Sequence, residues 1–136
     1  MDFWYAVATD HNTAKVAAVV TDLKLTAGTI TQVWLVHPEG CQGLAYAAIF
    51  EGGHQLYPHN PEESYHGNDV PMILDDNYEL KAPALLKLKT WNLDDTYDHT
   101  VYLRITVLRP KIDVATQALI DALNIIKQLL TGRRVS

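Results

Sequence analysis

The sequence contains a single cysteine, few basic residues and no long hydrophobic run, and each shortage excludes a class of protein. Cys41 cannot form a disulfide within the chain, so packing must stabilise the fold and no oxidising compartment is required. The 11 basic residues are outnumbered by 16 acidic ones, which argues against nucleic-acid binding because that requires a basic surface. No run reaches the ~18 apolar residues of a membrane helix, and the start lacks signal-peptide features, so we expect no membrane partner.

The sequence also lacks motifs for catalysis. It contains no His-x-His pair of the kind that double-stranded barrel enzymes use for iron, and no nucleophile-elbow glycines surround Ser64. His54, His59 and His66 lie close together in sequence, but their spacing matches no zinc-binding pattern. We therefore predict a protein that is not an enzyme, with no catalytic residue, metal or cofactor. A metal-dependent enzyme that uses these three histidines is kept as an alternative.

What the chain does contain is a series of short segments of strand composition, separated by turns rich in Gly, Pro, Asp and Asn. The segment 100–108 alternates apolar and polar residues most regularly, which predicts a strand with one buried face. Gly52-Gly53 is typical of a hairpin turn, and the alternating residues before it are assigned to the core face: Leu44, Tyr46, Ala48 and Phe50. Strands are predicted at 3–9, 14–26, 29–37, 44–50, 54–57, 70–74, 78–81, 85–91 and 100–108.

No helix separates these strands, so the crossovers that parallel sheets need are absent. We predict that residues 1–110 form one mainly β domain, an antiparallel β-sandwich of jelly-roll or Greek-key type with about eight strands. Both faces of strand 3–9 are apolar, which predicts that the strand is buried on both sides or covered by a partner. Pro71 places strand 70–74 at a sheet edge because proline cannot donate a ladder hydrogen bond. Trp34 is assigned to the core.

After Pro110 the apolar period changes from two residues to 3.6, which predicts a C-terminal helix that is capped by Asp113 and ends at Gly132. This amphipathic helix and a basic tail form the segment 111–136. Its apolar arc is wider than a single stripe, which predicts packing on the sandwich or on neighbouring subunits. We expect a homo-oligomer, with a trimer as one candidate, whose helical interface consists of Leu119, Leu123, Ile126 and Leu130.

Residues 58–69 contain two prolines and few apolar residues, which predicts a long surface loop, and such loops in compact domains are often functional. The residues predicted to contact a partner here all carry rings: Tyr57, His59, Tyr65 and His66. Aromatic rings also stack on sugars. A carbohydrate- or surface-binding β-sandwich module, with a glycan as its partner, is therefore an alternative function.

Several turn and strand segments resemble those of small uncharacterised β-sandwich proteins from phage and prophage gene sets. They are 23–31, 37–44, 53–61, 78–81 and 91–100, and the resemblance covers residues 20–108. It implies an accessory virion protein, such as a capsid decoration or spike subunit, that contacts other proteins of a larger assembly. Our leading hypothesis is therefore a non-enzymatic structural or assembly protein located on the virion. Without the resemblance, the expected location is the cytoplasm.

Overall fold

A computed structural model describes residues 1–109 and 114–135, and within the helix it describes the side chains of residues 116–130. These residues form nine strands and one helix, with a 3-10 turn at Lys15–Ala17. The elements are β1 (Asp2–Thr9), β2 (Val19–Lys24), β3 (Gly28–His37), β4 (Ala45–Glu51), β5 (His54–Tyr57), β6 (Tyr65–His66), β7 (Val70–Leu80), β8 (Leu85–Asn92), β9 (His99–Leu108) and α1 (Val114–Val135).

The strands form two antiparallel sheets that pack face to face. Sheet A has the strand order β1-β9-β3-β7, and sheet B has the order β2-β8-β4-β5, with β6 also pairing with β4. The chain alternates between the two sheets for most of its length, which is the strand arrangement of a jelly roll. The predicted mainly β, antiparallel sandwich with a C-terminal helix is confirmed.

The core lies between the sheets and is built from alternate residues of each strand. Strand β9 pairs with β1 on one side and β3 on the other, so it lies in the middle of sheet A. Its predicted inward face is buried, and this face consists of Val101, Leu103, Ile105 and Val107. Burial on one face fixes the register of β9, because a slip of one residue would move every apolar side chain to the outer face.

The hairpin at Gly52-Gly53 connects β4 to β5 as predicted, but the predicted core face of β4 is wrong. The residues of β4 that join the core are Ala47 and Ile49. Of the predicted set, Tyr46, Ala48 and Phe50 lie on the opposite, outer face, and Leu44 precedes the strand. Both faces of β4 carry apolar residues, since the outer face is also covered by other parts of the chain. Alternation alone could therefore not identify which face points into the core.

Strand β7 is continuous through residues 75–77, where the sequence predicted a turn between two strands. It pairs with β3 along this stretch, and a bulge between Ile30 and Gln32 absorbs the irregularity. The Asp75 carboxylate accepts a hydrogen bond of 3.2 Å from Gln32, so a residue typical of turns is satisfied within a strand. Strand β7 is the edge strand of sheet A, as Pro71 predicted.

Helix α1 continues through Gly132, where the sequence predicted its end. A glycine inside a helix costs only ~1 kcal/mol relative to alanine, so one glycine near the end does not terminate it. The predicted cap, Asp113, lies outside the described residues. Every side chain of residues 116–130 is exposed, so packing against the sandwich or a neighbouring subunit stays a prediction. No helix in the described part of the chain is both long and apolar enough to cross a membrane.

Candidate functional site

Tyr57, one of the predicted contact residues, is fully buried between the sheets. Its hydroxyl donates a hydrogen bond to Asp76 of β7, so the side chain links the edge strand β5 of sheet B to the edge strand β7 of sheet A. Burial, together with the Asp76 carboxylate, raises the pKa of Tyr57 well above its usual value. The prediction that Tyr57 contacts a partner is therefore wrong, because its ring is part of the core.

The other three predicted contact residues reach the surface. His59 and His66 are exposed, and Tyr65 is half-buried. Tyr65 and His66 form the short strand β6, and the His66 ring lies 5.0 Å from the Tyr46 ring, centroid to centroid. These three side chains are placed where a partner can meet them, but the structure does not bring them into one pocket.

The loop 58–64 is folded onto the outer face of sheet B. Gln55 holds it there, because its amide nitrogen lies within hydrogen-bonding distance, 2.9, 3.1 and 3.0 Å, of the carbonyl oxygens of Pro58, Asn60 and Glu63. Lys15 Nζ also lies 3.3 Å from Glu62 Oε2, which connects the loop to the 3-10 turn. The long loop is therefore a cover for sheet B and not a free recognition loop.

The structure does not support the metal alternative. His54 pairs with Glu51 and His66 pairs with Tyr46, so the two histidines lie beside positions of β4 that are five residues apart. Five residues of a strand span ~17 Å, which is too far for shared coordination. Among residues 1–109 and 114–135, no three His, Cys, Asp or Glu side chains are grouped so that they could hold a metal ion.

A group of polar side chains is buried at one end of the sandwich: Thr9, His37, Thr90, Asn92, Asp94 and His99. His99 Nε2 lies 2.8 Å from Asp94 Oδ2. The backbone N–H of Thr96 donates to the other Asp94 oxygen, and this bond together with His99 lowers the pKa of Asp94. The pair borders a cleft of about 560 Å³.

The Asp94–His99 pair has the geometry of a general base with its orienting carboxylate, but no hydroxyl or thiol of the described residues is hydrogen-bonded to the His99 ring. Cys41 is buried, and burial together with the Asp94 charge raises the pKa of its thiol, which disfavours the reactive thiolate. His37 is also buried, and its Nε2 has no hydrogen-bond partner among the described residues. Burial and the nearby His66 lower the pKa of His37 to about 4. The role that the described contacts support is structural, because the hydrogen bonds of Asp94 with His99 and Thr96 hold the 93–98 turn against the strands.

The outer face of sheet A carries an aromatic surface that the sequence did not predict. Pairing places Trp4, Arg104, Trp34 and Ile73 in one row across β1, β9, β3 and β7. The two indole rings meet edge to face, 5.5 Å between centroids, and the Arg104 guanidinium carbon lies 5.5 and 5.6 Å from them. With Tyr102 in the adjacent row, these residues are called the aromatic platform. Trp34 was assigned to the core, and that prediction is wrong.

No protein-family model matches the chain, and no curated protein matches it. Among solved structures, the chain is similar to the Yersinia pseudotuberculosis-derived mitogen (YPM), with 14% sequence identity and a TM-score of 0.46 over 84% of this chain and 92% of that chain. A similarity of this size carries no conclusion about function. The resemblance to phage and prophage proteins stays a prediction.

Proposed function

We propose that this protein is a non-enzymatic structural subunit that assembles with copies of itself through α1. The supporting observation is a group of seven large apolar side chains on the helix, each 38–61% exposed: Leu119, Ile120, Leu123, Ile125, Ile126, Leu129 and Leu130. Fully burying one such side chain contributes ~1.5–3 kcal/mol, so covering this surface is strongly favourable. A contiguous apolar surface of this kind is typical of an interaction site.

The spacing within this surface fits association between helices. Leu119, Leu123, Ile126 and Leu130 are separated by four, three and four residues, which aligns them as the a and d positions of a coiled coil. They are called the first stripe. In this register Leu123 and Leu130 occupy a positions, and Leu119 and Ile126 occupy d positions. The combination of leucine at a with isoleucine at d, present at Ile126, favours three or four strands over two. This supports the predicted homo-oligomer and its candidate trimer.

Light scattering on the full chain at micromolar concentration tests self-assembly. The wild type is expected to be an oligomer and Leu123→Asp a monomer, because a carboxylate in the first stripe must be desolvated on assembly. Asn124→Asp is the matched control, since it places the same carboxylate one residue further on, on the polar side of α1, and it is expected to assemble normally. A monomeric wild type contradicts the proposal.

At the scale of the larger assembly, we propose an accessory subunit of a virus particle, such as a capsid decoration or spike protein. The support is the resemblance of residues 20–108 to phage and prophage proteins, together with a jelly-roll architecture that viral capsid domains also use. Co-sedimentation with capsids encoded beside this gene is the test. A protein that stays in the supernatant contradicts the virion role and leaves self-assembly standing.

The alternative functions have less support. The carbohydrate-binding module relied on two tyrosines, and of these Tyr57 is buried while Tyr65 is half-buried. The metal-dependent enzyme relied on His54, His59 and His66, which do not converge in the described residues. Neither alternative is supported by a formed site, whereas the exposed helix presents a continuous apolar surface.

A further inference from the structure

The aromatic platform has the composition of a binding hot spot. Trp, Tyr and Arg are the residue types that dominate the energetics of protein interfaces. Trp4, Ile73 and Tyr102 are exposed, although each has an apolar body that gains from burial. Arg104 donates from Nη2 to Gln32, but its Nε is buried without a hydrogen-bond partner in the described part of the chain. Such local violations are expected at functional surfaces.

Helix α1 carries a second apolar line that the first stripe does not use. Ala118, Ala122, Ile125 and Leu129 are separated by four, three and four residues, so they also lie along one side of the helix. They are called the second stripe, and all four are exposed. Asp121 lies three residues after Ala118 and four before Ile125, which places its carboxylate beside this stripe.

We propose that the aromatic platform of one copy binds the second stripe of α1 from another copy. This inference rests on the proposed self-assembly, and it names the second surface that covers the helix. The two alanines leave a hollow in which the protruding Trp4 ring fits. Asp121 then lies at the edge of the contact, where it is available to the Arg104 guanidinium.

The charges favour the second stripe of α1 over the aromatic platform of another copy as the surface that binds here. If two platforms packed on each other about a twofold axis, each contact would be repeated symmetrically and the two Arg104 cations would face one another near the centre. Like charges repel strongly where water is excluded. The second stripe instead offers a carboxylate, and Asp121 is the sole acidic residue among the described helix side chains.

The dimensions of the two surfaces also agree. From Ala118 to Leu129 the second stripe rises ~17 Å along the helix axis. The four strands of sheet A lie ~4.8 Å apart, so the row from Trp4 to Ile73 is ~14 Å wide. One helix crossing the strands therefore covers the whole row.

Two aspartate substitutions test the contact from both sides. Ile73→Asp on the platform and Ile125→Asp in the second stripe are each expected to raise the dissociation constant of the oligomer at least tenfold, measured by sedimentation equilibrium on the full chain. Val20→Asp is the matched control, because Val20 is 50% exposed on the edge strand of sheet B and Ile73 is 56% exposed on the edge strand of sheet A. Val20→Asp is expected to assemble like the wild type.

A charge exchange tests the predicted register. Arg104→Glu and Asp121→Arg are each expected to weaken assembly, and the double variant is expected to recover at least part of the loss. Circular dichroism of every variant shows whether it is folded. If Arg104→Glu does not fold, a mixture of Asp121→Asn and the wild type provides the second measurement. This mixture is expected to assemble more weakly than the wild type alone.

The outcomes separate this inference from the proposed function. If Leu123→Asp is monomeric while Ile73→Asp and Ile125→Asp assemble like the wild type, self-assembly stands and the platform contact is overturned. If the wild type itself is monomeric, both proposals fail. If Ile73→Asp weakens assembly but Ile125→Asp does not, or if the platform binds a glycan through Trp4 without affecting assembly, the second stripe is not the occupant.

Discussion

The two outer faces of the sandwich differ in how the chain covers them. Each face carries a tryptophan, and Trp91 on sheet B is 6% exposed whereas Trp4 on sheet A is 59% exposed. The Trp91 ring stacks on Tyr46 with 5.5 Å between centroids, and Lys15 Nζ lies 5.6 Å from the same ring. On sheet A, no other described segment lies over Trp4.

This difference shows what marks an interaction surface in this molecule. Both outer faces carry large apolar side chains, Trp4 and Trp34 on sheet A and Trp91 on sheet B, so the presence of such residues does not distinguish the two faces. Sheet B is covered by the 3-10 turn and the loop 58–64, which belong to the same chain. Among residues 1–109 and 114–135, no segment covers sheet A in this way, and the exposed helix α1 has apolar surface to supply a cover. In the described part of the chain, the surface for a partner is therefore distinguished from a merely apolar surface by the lack of a cover.

Removing Trp91 is expected to have the largest effect on stability. Trp91→Ala deletes a large buried side chain and leaves a cavity beneath the cover of sheet B, a change that costs ~3–5 kcal/mol in protein cores. Trp4→Ala is the matched control on the other outer face and is expected to cost less than ~1 kcal/mol. Urea unfolding of both variants in a Leu123→Asp background, which removes assembly, measures the two values. Equal losses would show that the two faces do not differ.

The second prediction concerns His37, which is buried on the inner face of sheet A. The pKa of His37 is about 4 in the folded protein and ~6.5 in the unfolded chain. The unfolded chain therefore binds more protons between these pH values. The contribution of the neutral His37 side chain to the free energy of unfolding is therefore complete above about pH 6.5. It decreases as the pH falls and is lost by about pH 4, a total of ~3 kcal/mol.

Urea unfolding near pH 7 and near pH 4.5 measures this contribution. His37→Leu cannot take up the proton, so it is expected to lose less stability than the wild type over the same interval. Other carboxylates titrate in this range, and comparison of the two proteins cancels their effect. His54→Leu, which replaces an exposed histidine, is the control and is expected to follow the wild type. An equal loss in His37→Leu and the wild type would contradict the prediction.

The third prediction detaches the loop that covers sheet B. Gln55→Ala removes the donor that reaches three carbonyl oxygens, and a loss of ~1–2 kcal/mol is expected because each hydrogen bond contributes ~0.5–1.5 kcal/mol and the freed carbonyls regain water. Gln55→Glu keeps the size of the side chain and also removes the donor, so a similar loss is expected. Hydrogen exchange in the loop 58–64 should increase in both variants. Unchanged exchange would mean that Gln55 does not hold the cover.

The fold was predictable from the sequence where one face of a strand meets the core and the other meets water. Strand β9 is the clearest case, since its period-two pattern gave its limits to within one residue and its inward face. The prediction of the inward face was wrong for β4, because both of its faces are covered by protein. Trp34 was misassigned because it is a large apolar residue in an apolar strand, whereas its side chain lies on the outer face of sheet A, in contact with Trp4 and Arg104. An apolar residue indicates that a surface gains from cover, but it does not identify what covers it.

The candidate surfaces were predictable only where they are local in sequence. The first stripe of α1 is read from a helical spacing, and the exposure of residues 116–130 is consistent with its availability. The aromatic platform joins residues from four strands, and Trp4 and Arg104 are one hundred positions apart. Only strand pairing brings them together, so no local pattern indicates them. Likewise, the buried bond between Thr9 and Thr90 joins the two sheets without any signal near either residue.

The smallest effect is expected from the ion pair at the edge of the cover. Lys15 Nζ and Glu62 Oε2 are 3.3 Å apart, and their side chains are 51% and 89% exposed. Exposed pairs contribute ~0–1 kcal/mol and are screened by salt, so Glu62→Gln should lower stability by less than Gln55→Ala, and the difference from the wild type should shrink at high salt. Urea unfolding at low and high salt measures both quantities. If Glu62→Gln proved more destabilising than Gln55→Ala, the ion pair would be what holds the loop on sheet B, and the cover would open as ionic strength rises.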